Sequence, residues 1–227
     1  LSEPSQVDVA NLLSGLRLLS DAEVDAIERR ERASDASVFL GRLPPHLRVA
    51  KPAELIGSMG CPKLVQHART WLPEHGSLLL IGGTGIGKSS AAGYIFRRLL
   101  GTGVAQGGSR WNLARGMRWF SATELERARR EHPLGRGDAP EILSASRASV
   151  LFLDDMGWDR DPKAVSEVLA ARYESRLVTV ATTAKSFAST DGRSELEAHY
   201  DGAIVRRFVE AGAGVIVVQA GSPEGRR

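Results

Sequence analysis

The chain has 227 residues, 42% hydrophobic and 25% charged, the make-up of an ordinary globular protein and enough for one domain with a short appendage. No apolar run approaches the roughly 18–20 residues of a membrane span, and the N-terminus lacks a basic-then-apolar signal pattern, so no membrane partner is expected. The single cysteine, Cys61, excludes an internal disulfide and a thiolate-rich zinc site, and points to a reducing, cytoplasmic setting.

The net charge is +3, yet five of the 30 basic residues are lysines and 25 are arginines. The arginine fork suits phosphate, which makes nucleic acid a reasonable partner. The arginine codons of a GC-rich genome account for the same bias, and charge balance does not decide between them.

Residues 1–41 read as a helical N-terminal extension. "SDAE", Ser20 to Glu23, has the form of a capping box. Val24 and Ile27 then give a stripe too thin to hold a helix against a large core. Such a helix either docks on a partner protein or packs on the rim of the main domain.

From residue 78 strands and helices alternate, which implies a parallel sheet covered by helices on both faces. The expected strands are "LLLI" (78–81), "MRWF" (117–120), "VLFL" (150–153), "LVTVATT" (177–183) and "GVIVVQA" (214–220). A helix is expected from Lys88 to Leu100. The Gly-rich stretch 101–116 reads as a mobile connection. Ser121 and Glu124 form a second capping box. Asp161 as N-cap and Pro162 at the first helical position open another helix, with Val165, Leu169 and Tyr173 on one side. A last helical stretch runs from about Glu195 to Glu210. His199 and Glu195 would share a helix face there as a solvated pair.

"GGTGIGKS" (82–89) satisfies G-x-x-x-x-G-K-[ST] at every fixed position, just after an apolar strand and just before a helix. Gly82, Gly85 and Gly87 let the backbone curl so that successive N–H groups face a phosphate, with Gly83, Thr84 and Ile86 between them. The following helix adds its positive end, beginning at Lys88, Ser89 and Ser90. Lys88 would reach the β- and γ-phosphate oxygens, and Ser89 would place its hydroxyl on Mg²⁺.

Further on, "VLFLDDMG" (150–157) drives an apolar strand into two adjacent aspartates. A solvated turn would explain them, but beside a phosphate loop they have a sharper use. Asp154 would hold Mg²⁺, and Asp155 would polarise the attacking water. The chain has no N-K-x-D base-reading motif and no L-S-G-G-Q signature. A small-molecule kinase stays open as a distant alternative, although it has no need of two adjacent acids at this point.

The ordered set "RLPPHLRVAKPAEL" (42–55), "LLLIGGTGIGKSSAAGYIFRRLL", "LFLDDMG", "ARYESRLVTVATTAKSF" and "YDGAIVRRFVEAGAGVIVVQAG" resembles the DnaC/IstB-type AAA+ ATPases, a group of bacterial replicative-helicase loaders and transposition helpers. The resemblance spans roughly 42–221 and leaves 222–227 as a tail. It implies a P-loop AAA+ three-layer sandwich around a five-stranded parallel sheet, with little or no C-terminal lid. It further implies ATP/ADP and Mg²⁺ as cofactors, and a homo-oligomer, ring or spiral, when ATP is bound. The implied partners are a replicative helicase or a transposase, and single-stranded DNA. A nucleotide-dependent assembly switch that scarcely turns over is the reading from another class.

By the same resemblance Arg207, in "IVRRF", would be the finger that reaches a neighbour's γ-phosphate, with Arg206 as second candidate. One departure stands out. The group ends its fourth strand in T-[ST]-N, and here "TTAKS" puts Ala184 where the water-orienting Asn belongs. Thr183 is then the nearest substitute, with Lys185 beside it, and hydrolysis is expected to be weak.

Overall fold

The computed structural model describes residues 20–133, 135–186, 194–203, 205–206 and 215–219, the last group by its backbone. Ten α-helices and a parallel sheet are present among them. Strands β1 (Ser77–Ile81), β2 (Arg118–Ser121), β3 (Val150–Met156) and β4 (Val178–Thr183) carry described side chains. Val215–Gln219 (β5) pairs through its backbone alongside β1, giving the order β2-β3-β4-β1-β5. All pairings are parallel.

Alternation along the strands splits the core in two. Leu78, Leu80, Phe152 and Val180 face one side, where they meet Ile95 and Phe96 of the long helix after β1. Leu79, Leu151, Leu153 and Ala181 face the other, against Val165 and Leu169. This is the period-two pattern of a sheet buried on both faces.

The N-terminal helix α1 (Asp21–Leu40) starts at the expected box: Glu23 N–H donates to Ser20 Oγ at 3.4 Å, and Ser20 N–H donates to Glu23 Oε2 at 2.9 Å. No residue of α1 is fully buried, but its second half is tied to the domain. Arg32 Nε donates to Val104 O at 3.2 Å, and the Phe39 ring lies 5.6 Å from that of Trp111. Short helices α2 (Pro45–Val49), α3 (Pro52–Gly57) and α4 (Pro62–Thr70) each begin at a proline and lead to β1.

After β1 comes α5 (Lys88–Gln106), then α6 (Gly108–Gly116). The stretch 101–116 is therefore helical, against the expectation of a mobile connection. Gly103 serves packing: a Cβ there would stand 2.8 Å from that of Ala114, so the two helices touch where neither has bulk. Helix α7 (Ala122–Glu131) follows its predicted capping box, with Ser121 N–H to Glu124 Oε2 at 2.7 Å.

Helix α8 (Pro140–Arg147), unforeseen from the sequence, precedes β3, and α9 (Lys163–Glu174) follows it. Helix α9 starts one residue later than expected, with Pro162 at the cap and the Asp161 carboxylate accepting Lys163 N–H at 3.1 Å. Helix α10 (Glu195–Tyr200) ends at Asp201, whose φ of 71° breaks the expected long helix. No described helix is long and apolar enough to cross a membrane.

Candidate nucleotide-binding site

The strand order places β4 between β1 and β3. The tip of β4 thus stands between the phosphate loop, which leaves β1, and the two aspartates, which end β3. In an open parallel sheet this C-terminal edge is where ligands bind. A cleft of about 520 Å³ lies there, lined by Ser58, Thr84, Gly85, Gly87, Lys88, Ser89, Ser90, Asp155, Trp158 and Ala184.

The loop 82–87 is braced from behind. Gly60 N–H donates to Ile86 O at 3.0 Å, and Ile86 is buried. Gly87 has φ 88°, and a Cβ there would stand 2.5 Å from Ser58 O and 2.7 Å from Met59 Cα. Only glycine fits that conformation at that approach. Gly83, Thr84 and Gly85 remain exposed at the cleft.

Lys88 is 7% exposed and its Nζ donates to the carbonyls of Gly82 and Gly83, each at 2.8 Å. Burial pushes its ammonium below the ordinary lysine value, while the fields of Asp155 and Asp154 oppose that shift. The cation is thus held at the loop, within the reach of whatever anion the loop takes.

Ser89 Oγ donates to Asp154 Oδ1 at 2.8 Å, and Thr182 Oγ1 donates to the same oxygen at 2.5 Å. Asp154 is 7% exposed. Burial holds its carboxyl above the usual carboxylate range; the Thr182 bond opposes this, the neighbouring Asp155 charge adds to it, and the Ser89 bond opposes it. Two hydroxyls alone leave a buried carboxylate short of positive charge.

That donor set fits magnesium. Mg²⁺ is ordinarily held by one or two protein oxygens and completes its shell from phosphate and water. Ser89 and Asp154 would be those ligands, and a cation there would supply charge neutralisation at the phosphates. Among the described residues no cluster of three or more His, Cys, Asp or Glu side chains offers another metal site.

Asp155 points elsewhere because β3 is irregular. Leu153 pairs with Ala181 and Met156 with Thr183, so two aspartates stand against Thr182 alone. Asp155 takes the left-handed φ of 55°, which Asp tolerates better than most residues. Its N–H donates to Thr182 Oγ1 at 3.0 Å, and its side chain is exposed on the cleft wall. The bulge thus sends one acid inward to Ser89 and the next out into the cleft.

Thr183, the expected substitute for the missing Asn, is not among the residues that line the cleft. It is fully buried; its hydroxyl donates to Met156 O at 2.8 Å and accepts Lys185 N–H at 3.0 Å, a brace between strand tips. Ala184 is the residue that faces the cleft. Lys185 acts on Glu195, whose carboxyl it helps hold below the usual range after the Ser186 hydrogen bonds. His199 Nε2 lies 3.3 Å from Asp159 Oδ1, and no ion pair joins it to Glu195 among the described residues. Arg206 is exposed, with Nε on Gly202 O at 3.2 Å. Arg207 lies outside the described residues.

Thr182 and Trp158 were not singled out in the sequence. Thr182 belongs to the T-[ST]-N segment, but its grip on Asp154 depends on the β3 bulge. Trp158, 62% exposed beside the phosphate loop, follows the acids by three residues.

No protein-family model matches the chain, and no curated protein matches it. Solved structures do. A putative primosome component from Streptococcus pyogenes serotype M3 superposes with a TM-score of 0.51 at 19% identity, over 83% of this chain and 97% of that one. The DnaC helicase loader gives 0.49 at 19% identity over 69% and 86%, and DnaI gives 0.45 at 17% over 92% and 89%. The likeness to the primosome component is one of fold. That fold is α/β, a parallel sheet with ten helices among the described residues and a glycine-rich loop between β1 and the helix that follows it.

Proposed function

We propose that this chain is a Mg²⁺-dependent ATP-binding protein of the AAA+ type with weak hydrolysis, which loads or remodels a replicative helicase on DNA. The observation that carries the nucleotide part is the Ser89–Asp154 bond of 2.8 Å beside a buried Lys88 on a glycine-braced loop. Lys88 leaves the carbonyls of Gly82 and Gly83 for the phosphate oxygens. Asp155 takes the proton of the attacking water, from an exposed position two strands away from the loop. Ser89 and Asp154 would hold magnesium, which would supply charge neutralisation at the phosphates.

The helicase part leans on the sequence resemblance, and on solved neighbours described as a helicase loader and a primosome component. In this reading the extension 1–41 engages the helicase, the core 42–221 assembles into a ring or spiral, and Arg207 completes a neighbour's site. Single-stranded DNA aligns the subunits. A transposase is the alternative partner.

Ala184 on the cleft wall, with the Thr183 hydroxyl spent on Met156 and Lys185, favours a second reading: an ATP-driven assembly switch with negligible turnover. Both readings are tested by titrating the chain with the replicative helicase of the same genome, with and without Mg²⁺-ATP. Loading requires tighter helicase binding with nucleotide and transfer of the helicase to single-stranded DNA. Binding to a transposase instead rejects the loader.

A further inference from the structure

Helix α10 is fastened to both strand tips that wall the cleft. At its N-terminal end, Ser186 N–H donates to Glu195 Oε2 at 2.8 Å and Leu196 N–H donates to Ser186 O at 3.2 Å, which ties it to the exit of β4. At its C-terminal end, the Tyr200 hydroxyl accepts Gly157 N–H at 2.6 Å and donates to Asp159 Oδ1, which ties it to the exit of β3. Gly157 N–H also lies 3.2 Å from Asp159 Oδ1, and His199 Nε2 3.3 Å from the same oxygen. Tyr200 is 2% exposed and Asp159 3%.

The phosphate chemistry uses neither residue, so this buried polar knot needs another reason. A carboxylate at that depth is costly unless bonded, and Oδ2 of Asp159 has no hydrogen-bond partner among the described residues. An apolar contact would hold a loop down with less penalty. The polar version adds direction: an oxygen fixed on α10 bonds the Gly157 N–H, so the backbone of 157–159 keeps one orientation. Within that span stands Trp158 on the cleft wall, its N–H bonded to Asp155 O at 3.2 Å. Asp155 and Tyr200 are therefore joined through a single short loop.

We propose that Tyr200 and Asp159 are positioning residues of the nucleotide site: their buried bond sets the loop that holds Asp155 and Trp158 at the cleft, and couples that loop to α10. The proposal rests on the ATPase reading for its kinetic consequence, but not for its structural one.

The chain has four tryptophans, and Trp71, Trp111 and Trp119 are buried, so acrylamide quenching of the exposed Trp158 reports the loop directly in nucleotide-free protein. Trp158→Phe assigns the quenchable signal. Tyr200→Phe keeps the ring and removes the hydroxyl; Asp159→Ala removes the acceptor. Both are expected to raise Trp158 quenching and to lower kcat roughly tenfold or more, as small misplacements of reacting groups do. ATP affinity is expected to fall by less than kcat, since the phosphate loop and Lys88 stay in place while the displaced acid acts after binding. Asp159→Asn, which keeps an acceptor oxygen and serves where Asp159→Ala does not fold, is expected to retain most of the rate.

Wild-type quenching and kcat in Tyr200→Phe, with only a lower Tm, would overturn the proposal. So would an Asp159→Asn variant as impaired as Asp159→Ala. If the wild type binds no nucleotide, the ATPase reading falls, while the quenching comparison still decides the anchoring.

Discussion

The hydroxyl of Thr182 lies 2.5 Å from Oδ1 of Asp154 and accepts the N–H of Asp155 at 3.0 Å, so one threonine on β4 fixes both acids at the end of β3. It sits opposite the bulge that separates their directions. Donor and acceptor roles are both filled, which leaves the Asp154 carboxylate aimed at Ser89.

Thr182→Val keeps the shape and removes both bonds. Losing a buried donor beside a carboxylate, and stranding the Asp155 N–H, costs about 1–3 kcal/mol. The expected result is a lower Tm together with a smaller thermal upshift on adding Mg²⁺-ATP. Thr182→Ser, which keeps the hydroxyl, recovers most of both.

Asp155 and Asp154 divide the chemistry, and substitution separates them. Asp155→Asn is expected to reduce ATP turnover by about 10² or more, the usual scale for a general base, with nucleotide affinity retained. Asp154→Asn weakens the Mg²⁺-dependent part of binding itself. Calorimetry with and without magnesium, beside steady-state rates, distinguishes the two.

At the tip of β4, Ala184→Asn is expected to raise turnover by returning a water-orienting amide to the cleft wall. Thr183→Val is expected to cost stability rather than rate, because its hydroxyl bonds Met156 O and Lys185 N–H in the interior. A rate lost in Thr183→Val at unchanged Tm would return the catalytic role to Thr183.

How much of this was legible in the sequence follows from what each feature depends on. The phosphate loop and paired acids announce themselves because their chemistry fixes residue type and spacing over a few positions. The boxes at Ser20 and Ser121 are local for the same reason. The stretch 101–116 misled because glycine signals both mobility and close packing; the contact of Gly103 with Ala114 belongs to the second case. Thr182 was invisible because its role needs the register of β4 against a bulge in β3. The Tyr200–Asp159 bond joins residues 41 apart, and no short pattern encodes it.

Arg172 tests the packing beneath the site. It is 1% exposed, with Nε on Thr179 Oγ1 at 2.9 Å and Nη1 on the carbonyls of Ala145 and Ala148, each at 2.8 Å. Arg172→Leu strands those acceptors and is expected to destabilise the fold by roughly 3 kcal/mol or more. Chemical denaturation measures this, and nucleotide affinity under native conditions should be unchanged.

If Arg207 acts on a neighbour's nucleotide, Arg207→Ala and Asp155→Asn subunits are each inactive alone but restore activity when mixed, at interfaces that pair an intact Asp155 with an intact Arg207. Activity per subunit should also rise with protein concentration and with single-stranded DNA, and the DNA effect should fall with added salt. A mixture as inactive as its parts rejects the shared site.

The central claim is that the loop 82–89 with Asp154 binds a nucleotide phosphate through Lys88 and magnesium. Isothermal titration of Mg²⁺-ATP into the wild-type chain and into Lys88→Ala tests it most directly. Saturable binding by the wild type, weakened at least tenfold without magnesium and in Lys88→Ala, is the expected result; a charge-assisted contact of ~1.5–3 kcal/mol sets that scale. Equal affinity in the two proteins, or no binding by the wild type, would contradict it.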